Sequence, residues 1–261
     1  MYSPNNKIKN DATYSTKFIS AYEELIDNNR KLFNIPSIDD FFHFQDKKNI
    51  SIINRCKTTH FLYHLISKLC IQYSKNNQNN KTILIDGGSN NLGCLYIDLI
   101  KLSVKEQFNT NQLLNNIILS RAFTFYQLAN VIINELPILI QKLNCKIQII
   151  VLDILDTLFS SSTNKVKSKL IKNASDIKED KIKLLDEILQ NMISFSRYCF
   201  SILAFTDFRN ILNKSIFSRF NQILEIVSID NNQKNDNKTM LHMKTTHTKK
   251  SLISDSILEI V

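Results

Sequence analysis

Three short β-rich runs constrain the fold of this 261-residue chain more than any other feature of its sequence. They cover residues 82–85, 116–120 and 146–152. Helical patterns separate the runs, so they predict successive βα units of a parallel sheet. Asp86 follows the first run and Asp153 follows the third. Because ligands of open α/β sheets bind at the carboxyl ends of the strands, both aspartates are candidate site residues.

Further β-rich and helical patterns extend the predicted sheet. Additional strands are predicted at residues 49–53, 200–206, 223–229 and 239–246. The last two alternate apolar with polar residues, which is typical of an antiparallel hairpin at a sheet edge. We also expect a helix from Ser15 to Phe33, a capped helical turn from Ser37, and a kink or helix end at Pro137. The predicted fold class is α/β, with a mostly parallel twisted sheet, helices on both faces and a C-terminal antiparallel edge hairpin.

The composition narrows the class of protein but does not identify its partner. The net charge of +9 fits either solvating lysines or contact with a nucleic acid. The five cysteines contain no C-x-x-C pair, so we expect reduced thiols rather than disulfides or a zinc site. The sequence shows no signal-peptide core and no apolar run of membrane-spanning length. We therefore expect a cytoplasmic protein that does not contact a membrane.

The residues after the strand at 49–53 have the layout of a phosphate-binding loop. A short turn, Lys57-Thr58 and an apolar helical stripe follow that strand. In such a loop Lys57 would contact the β- and γ-phosphates of a nucleotide, and Thr58 would bind Mg²⁺. The glycines of the loop are missing, since Cys56 precedes Lys57 and Ser51 stands five residues before Cys56. A Lys-Thr pair at a helix start is also common without a nucleotide, and on spacing alone this alternative stays open.

A polar segment beyond Asp153 is a second candidate for binding. Residues 160–164 are serine, threonine and asparagine, and a lysine-rich stretch follows that includes Lys165, Lys167, Lys169 and Lys172. A long charged loop of this kind is predicted to be mobile and to contact a partner. A solvated linker is the alternative interpretation.

Together these segments resemble the RecA/RadA recombinase family of P-loop ATPases. Residues 120–127 (Ser-Arg-Ala-Phe-Thr-Phe-Tyr-Gln) are similar to the family's strand-end segment with Arg-Ala-Phe and a later Gln. Residues 149–159 resemble its Walker B strand and the following turn, and residues 84–88 complete an ordered trio. Residues 56–59 (Cys-Lys-Thr-Thr) fall where the family has Gly-Lys-Thr. The resemblance covers roughly residues 45–250.

The resemblance implies a RecA-like core at residues 45–261, preceded by an N-terminal helical or linker segment at residues 1–44. It implies ATP and Mg²⁺ as cofactors. The residues that it assigns to the nucleotide are Cys56, Lys57, Thr58, Thr59 and Asp153, with Thr58 and Asp153 at the metal. Phe18 and Ala21 are similar to the Phe-x-x-Ala motif through which such recombinases dock onto a neighbouring subunit, so self-association or a recombinase partner is expected. The loop lysines Lys165, Lys167, Lys169 and Lys172 correspond to the family's first DNA-binding loop, which implies single-stranded DNA as a partner.

Departures from the family pattern limit the expected activity. Gly88 stands where the recombinases have the glutamate that polarises the attacking water. The phosphate-loop glycines are absent, and the second DNA-binding loop, at residues 207–214, is short. Phosphoryl transfer depends on positioning and on charge stabilisation. We therefore expect weak or absent ATP hydrolysis and an accessory role in recombination or repair.

Two other functions stay open at the level of the sequence. One is an active, DNA-binding ATPase that binds ATP through Lys57, Thr58 and Asp153 and uses a substitute carboxylate, Asp86 or Asp156. The other is a structural partner of a true recombinase that binds no nucleotide at all.

Overall fold

The strands of the computed structural model belong to one mixed sheet. They are β1 (Asn49–Asn54), β2 (Lys81–Asp86), β3 (Ile117–Arg121), β4 (Ile147–Leu152), β5 (Phe200–Thr206), β6 (Gln222–Ile229), β7 (Lys238–Thr245) and β8 (Lys249–Ile253). The eight strands lie in the order β3-β2-β4-β5-β1-β6-β7-β8. The pairings from β3 across to β6 are parallel, whereas β7 is antiparallel to both β6 and β8.

The structure describes residues 32–42, 49–56, 59–88, 92–160, 179–197, 199–206, 219–220, 222–229, 238–245 and 249–253. All of them belong to one compact unit, which spans Lys31–Val261.

The predicted α/β class and the mostly parallel sheet are confirmed. The hairpin of β6 and β7 is also confirmed, but it does not form the edge of the sheet. β6 pairs in parallel with β1, and β8 adds a strand outside β7. The sequence of β8, Lys-Lys-Ser-Leu-Ile, lacks apolar alternation and begins with two lysines, so its pattern did not predict a strand.

Helices cover both faces of the sheet. They are α1 (Pro36–Asp39), α2 (His60–Asn76), α3 (Leu92–Lys105), α4 (Thr110–Asn115), α5 (Phe125–Asn130), α6 (Leu136–Lys142), α7 (Ile154–Ser160) and α8 (Glu179–Phe195). Successive residues of a strand point to opposite faces of the sheet, so each strand contributes side chains to two separate hydrophobic cores. Leu84 and Ile150 pack with α2, α3 and residues 32–42. Ile83 and Ile149 pack with α5, α7 and α8.

The disturbance expected at Pro137 takes the form of a π-helical turn. Val131–Glu135 connects α5 to α6 as a π-helix, and Pro137 occupies the first turn of α6. Proline has no N–H to donate, and it is tolerated in a first turn because those N–H groups have no helical partner. The helical path therefore continues to Lys142 and does not end at the proline.

Residues 32–42 pack on the first core cluster, although the sequence analysis assigns them to an N-terminal segment. The helical turn begins at Pro36 and not at Ser37, and Leu32 and Phe33 are not helical. The predicted cap at Ser37 is replaced by Asp39, which lies within the helical turn itself. Asp39 accepts the backbone N–H groups of Leu32, Phe33 and Ile35 at 2.9–3.1 Å. The predicted domain boundary between residues 44 and 45 lies outside the described residues.

Candidate functional site

The strand order reverses at β1, which defines the candidate site. From β1 the chain crosses β5 and β4 to reach β2, whereas β6 lies on the other side of β1. Ligands of open α/β sheets bind outside the carboxyl ends of the strands at such a reversal. The residues that follow β1, β2 and β4 at this end of the sheet are therefore the ones whose geometry matters.

Asp153 is buried directly after β4 in a left-handed backbone conformation. It is 3% exposed and its φ is 53°. Its N–H donates to the carbonyl of Ala204 in β5 at 2.9 Å, and its carbonyl accepts the N–H of Asp156 at 3.0 Å. Aspartate tolerates positive φ better than most residues do. These bonds fix the backbone of Asp153 between β5 and the first turn of α7.

The two glycines after β2 have different reasons to lack a side chain. The N–H of Gly87 donates to the carbonyl of Leu152 at 2.8 Å. A Cβ on Gly87 would lie 2.7 Å from that carbonyl oxygen and 2.9 Å from the carbonyl oxygen of Asp153. Gly88 has a φ of 99°, and a Cβ there would lie 3.1 Å from Cγ2 of Thr157. The backbone at this point is built for glycine at both positions.

Asp86 is buried and forms an ion pair with Arg121. Asp86 ends β2 with no exposed surface, and its Oδ2 lies 3.2 Å from Nε of Arg121, which ends the neighbouring strand β3. The guanidinium of Arg121 also lies 5.2 Å from the ring centre of Phe123, a distance at which a cation and an aromatic face attract each other. The N–H of Ala122 donates to the carbonyl of Asp86 at 2.9 Å. The ends of β2 and β3 are thus joined by both backbone and side chains.

Asn54 shapes the turn after β1, where a phosphate loop has its glycines. The Oδ1 of Asn54 accepts the N–H of Cys56 at 3.1 Å, an arrangement by which asparagine replaces a backbone turn. The N–H of Arg55 donates to the carbonyl of Ile226 at 2.8 Å, and Nε of Arg55 pairs with Glu225. Cys56 is buried, and this burial raises the pKa of its thiol, which disfavours the reactive thiolate form.

Tyr63 brings the start of α2 to the end of β4. Tyr63 is 1% exposed, and its N–H donates to the carbonyl of Thr59, the residue just before α2. Its hydroxyl lies 3.4 Å from Oδ2 of Asp153. The first turn of α2 and the predicted metal-binding aspartate therefore meet, as the layout of a phosphate-binding loop requires.

The structure places part of the predicted nucleotide site. It describes Cys56, Thr59 and Asp153, whereas Lys57 and Thr58 lie outside the described residues. Phe18, Ala21, Lys165, Lys167, Lys169 and Lys172 also lie outside them. Within the described ranges, no three or more His, Cys, Asp and Glu side chains form a group that could hold a metal ion. The described residues thus fit a nucleotide only at Asp153 and the start of α2, and no hydrolysis step follows from them.

Two residues and one ion pair of this region were not identified from the sequence. Asn54 carried a usable signal, since an asparagine at the end of a strand often forms such a turn. Tyr63 lies one helical turn after Thr59, but nothing in the pattern distinguished it from the other apolar residues of α2. The ion pair of Asp86 with Arg121 depends on β2 and β3 being neighbours, which the sequence alone does not establish.

Two groups of large apolar side chains are exposed. On α3, Ile97, Ile100 and Val104 are 52%, 45% and 67% exposed. The second group comprises Leu119 on β3, Phe123 in the turn after it and Tyr126 on α5, which are 40%, 69% and 55% exposed. Among the described strands, β3 pairs only with β2, so its other edge is open.

Within the described residues, no helix has both the length and the apolar character needed to cross a bilayer. Comparison with family models finds no match for this chain, and comparison with curated proteins finds none either.

Proposed function

We propose that this chain is a RecA-like protein with weak or absent ATP hydrolysis that acts in, or regulates, DNA recombination or repair. The proposal of weak or absent ATP hydrolysis rests on the backbone conformation of Gly88. The proposal for recombination or repair follows from the resemblance, and the arrangement of the sheet is compatible with it.

Gly88 offers no carboxylate, and its surroundings do not admit one. In the recombinases that the chain resembles, a glutamate at this position polarises the attacking water. The φ of 99° at Gly88 is one that residues with a side chain rarely adopt, and a Cβ would press on Thr157. A backbone that disfavours a side chain at this position supports a chain that does not depend on hydrolysis.

The sheet supports a RecA-like core in three respects. Lys57 follows β1 in the sequence, and Asp153 follows β4, which a single strand separates from β1. The start of α2 meets Asp153 through Tyr63. The parallel strands are followed by an antiparallel C-terminal hairpin, as the resemblance implies.

An active ATPase with a substitute carboxylate receives less support. Asp86 is fully buried against Arg121, so an attacking water has no access to it. Asp156 is exposed on the first turn of α7 and is the better of the two candidates. If it were the base, Asp156→Asn would abolish turnover; we expect the variant and the wild type to have the same low rate.

Calorimetry with Mg²⁺-ATP tests whether the phosphate loop still binds nucleotide. If it does, Lys57→Ala removes a charged contact of about 1.5–3 kcal/mol, which weakens binding by roughly 10- to 150-fold. Thr59→Ser, which keeps a hydroxyl beside the loop, is the matched control and should bind like the wild type. Wild-type protein that binds no ATP at millimolar concentration would remove the nucleotide from the proposal.

The second candidate function is a structural partner that binds no nucleotide, and the exposed apolar groups favour it. Monomeric proteins seldom expose several large apolar side chains together unless these contact a partner. Phe123, Tyr126 and Arg121 are also the residue types that dominate interfaces. No described strand lies beyond β3, and a strand at the edge of a sheet can pair with another chain.

Light scattering on variants tests this second candidate. Val104→Ser should lower self-association or the affinity for a recombinase, whereas Lys101→Ser on the same helix should not. Phe18→Ala tests the predicted docking motif independently, and should shift the protein towards monomer with little change in melting temperature. A large fall in melting temperature with unchanged assembly would show that Phe18 belongs to an intramolecular core.

A further inference from the structure

His64 is a buried histidine whose Nε2 has no hydrogen-bond partner among the described residues. It lies on α2, one turn before Lys68, and the two residues are only 6% and 4% exposed. An imidazole that is buried and whose Nε2 lacks a hydrogen-bond partner favours its neutral form, because burial penalises the charged form. Lys68 adds a second buried basic group on the same face of the helix.

The groups around His64 define what we call the α2–α3 seam. His60 and Lys68 on α2, together with Lys105 on α3, oppose a positive charge on His64, and Asp98 on α3 favours it. Around Lys68, Glu106 and Asp39 favour its charge, but Glu106 is already bonded to Gln72 at 2.9 Å and to Lys75 at 2.6 Å. A proton added to His64 would therefore meet more positive than negative neighbours.

The seam has a direct route to the candidate site. α2 packs against α3 in the first core cluster, through residues such as Leu65 on α2 and Leu99 on α3. Tyr63 immediately precedes His64 and contacts Asp153 at the end of β4. Because Tyr63 and His64 lie on the same helix, a shift of α2 relative to α3 would also move the start of α2, which lies beside Asp153.

We propose that the α2–α3 seam is a proton-sensitive contact, in which protonation of His64 weakens the packing of α2 on α3. This inference is independent of nucleotide binding and of any role in recombination. Mild acid would then weaken the packing of α2, the helix that follows the predicted phosphate loop in the sequence.

The direction of the effect follows from linkage. Burial, and then the charge of Lys68, lower the pKa of His64 below its ordinary value of 6.5. The unfolded chain therefore binds more protons than the folded chain once the pH falls to about 6.5. The stability that depends on neutral His64 is fully present above that pH. It is lost as the pH falls from about 6.5 towards the pKa of His64 in the folded chain.

The first test is an NMR titration of the full-length chain with sequence-specific assignment of its histidine rings. The result expected is a His64 midpoint below about 6.5, the ordinary value for a histidine side chain. In Lys68→Gln the His64 midpoint should rise, because one neighbouring positive charge is gone. A His64 midpoint at or above the ordinary value would overturn the proposal without any variant having to fold.

The second test is urea unfolding at about pH 7.5 and at about pH 5.5, where histidine changes its charge. The wild-type midpoint should be lower at the acid pH, and His64→Gln should reduce that loss. His60→Gln, one turn earlier on the exposed surface, leaves the buried imidazole in place and should keep more of the wild-type loss than His64→Gln does. An identical loss in His64→Gln and wild type would show that the seam does not sense protons.

Discussion

The hydroxyl of Tyr63 lies 3.4 Å from Oδ2 of Asp153, and this contact joins the first turn of α2 to the end of β4. Both residues are buried, and Asp153 is additionally held by backbone bonds to β5 and α7. The relationship matters because these two elements would flank a bound phosphate in a nucleotide-binding loop. The side chain of Tyr63 links α2 directly to the end of β4.

A double-mutant cycle tests whether that link is energetic. Tyr63→Phe removes the hydroxyl, and Asp153→Asn removes the charge while keeping a residue that tolerates positive φ. We expect a coupling of about 0.5–1 kcal/mol in urea unfolding, at the low end for such bonds because the distance is long. Effects that add within about 0.3 kcal/mol would mean that the two side chains are merely adjacent.

The chain's three glycines give a graded prediction for Gly→Ala. Gly87→Ala should destabilise the fold by about 1–3 kcal/mol, because its Cβ would overlap the carbonyl oxygens of Leu152 and Asp153. Gly88→Ala should cost about 1–2 kcal/mol through its positive φ. Thermal or urea unfolding measures both values.

Gly93 is the matched control for these substitutions. It lies in the first turn of α3, and a Cβ there would meet nothing within 4 Å. Gly93→Ala should therefore leave stability unchanged or raise it by up to about 1 kcal/mol. If all three variants lost similar stability, the close approach of β2 to residues 152–153 would not be the cause.

Lys68→Met should stabilise the protein at neutral pH by about 1–2 kcal/mol. Lys68 is 4% exposed, and burial lowers its pKa from the ordinary 10.5, so the folded chain binds this proton less well than the unfolded chain. Wild-type stability should then rise with pH as the pH approaches 10.5, and the advantage of the variant should shrink. Urea unfolding at about pH 7 and about pH 9.5 measures this.

Lys101→Met, on the exposed face of α3, serves as the control for Lys68→Met. It should change stability by no more than about 0.5 kcal/mol at either pH. A destabilised Lys68→Met would indicate that Lys68 is held by attraction to Glu106 and Asp39 strongly enough to offset its burial.

Much of this fold could be predicted from the sequence, for reasons that particular residues make clear. In Ile147–Leu152 every residue is buried and all but Gln148 are apolar, because both faces of the strand are covered, and this signal does not depend on neighbours. The order of the strands could not be predicted in the same way. It depends on long-range pairing such as that of β1 with β6, to which no local pattern refers.

The candidate site was less predictable than the fold. Asp153 was found because it ends a recognisable strand, whereas the role of Tyr63 depends on a contact across 90 residues of sequence. Asn54 shapes the turn after β1 by accepting the N–H of Cys56, a side-chain bond that a search for phosphate-loop glycines does not detect. Asp86 was considered as a catalytic substitute, and its burial against Arg121 became apparent only with the neighbouring strand in place.

Single-stranded DNA should bind through the lysine-rich loop with a strong dependence on salt. Each lysine–phosphate contact on a single strand contributes a log–log slope of about −0.7. Replacing Lys165, Lys167, Lys169 and Lys172 by glutamine should flatten the slope by up to about three units. Fluorescence anisotropy over a salt series measures it. A quadruple variant with wild-type affinity and slope at low salt would show that DNA does not contact this loop.

The release of phosphate from ATP tests the central claim most directly. The full-length protein is assayed with saturating Mg²⁺-ATP, with and without single-stranded DNA, beside Lys57→Ala as the control. Because residue 88 has no carboxylate, we predict a rate of phosphate release at or below about 10⁻³ s⁻¹, comparable to that of an NTPase without its stabilising groups. We also predict that single-stranded DNA does not stimulate this rate. A rate of about 1 s⁻¹ or more, typical of working enzymes and lost in Lys57→Ala, would contradict it.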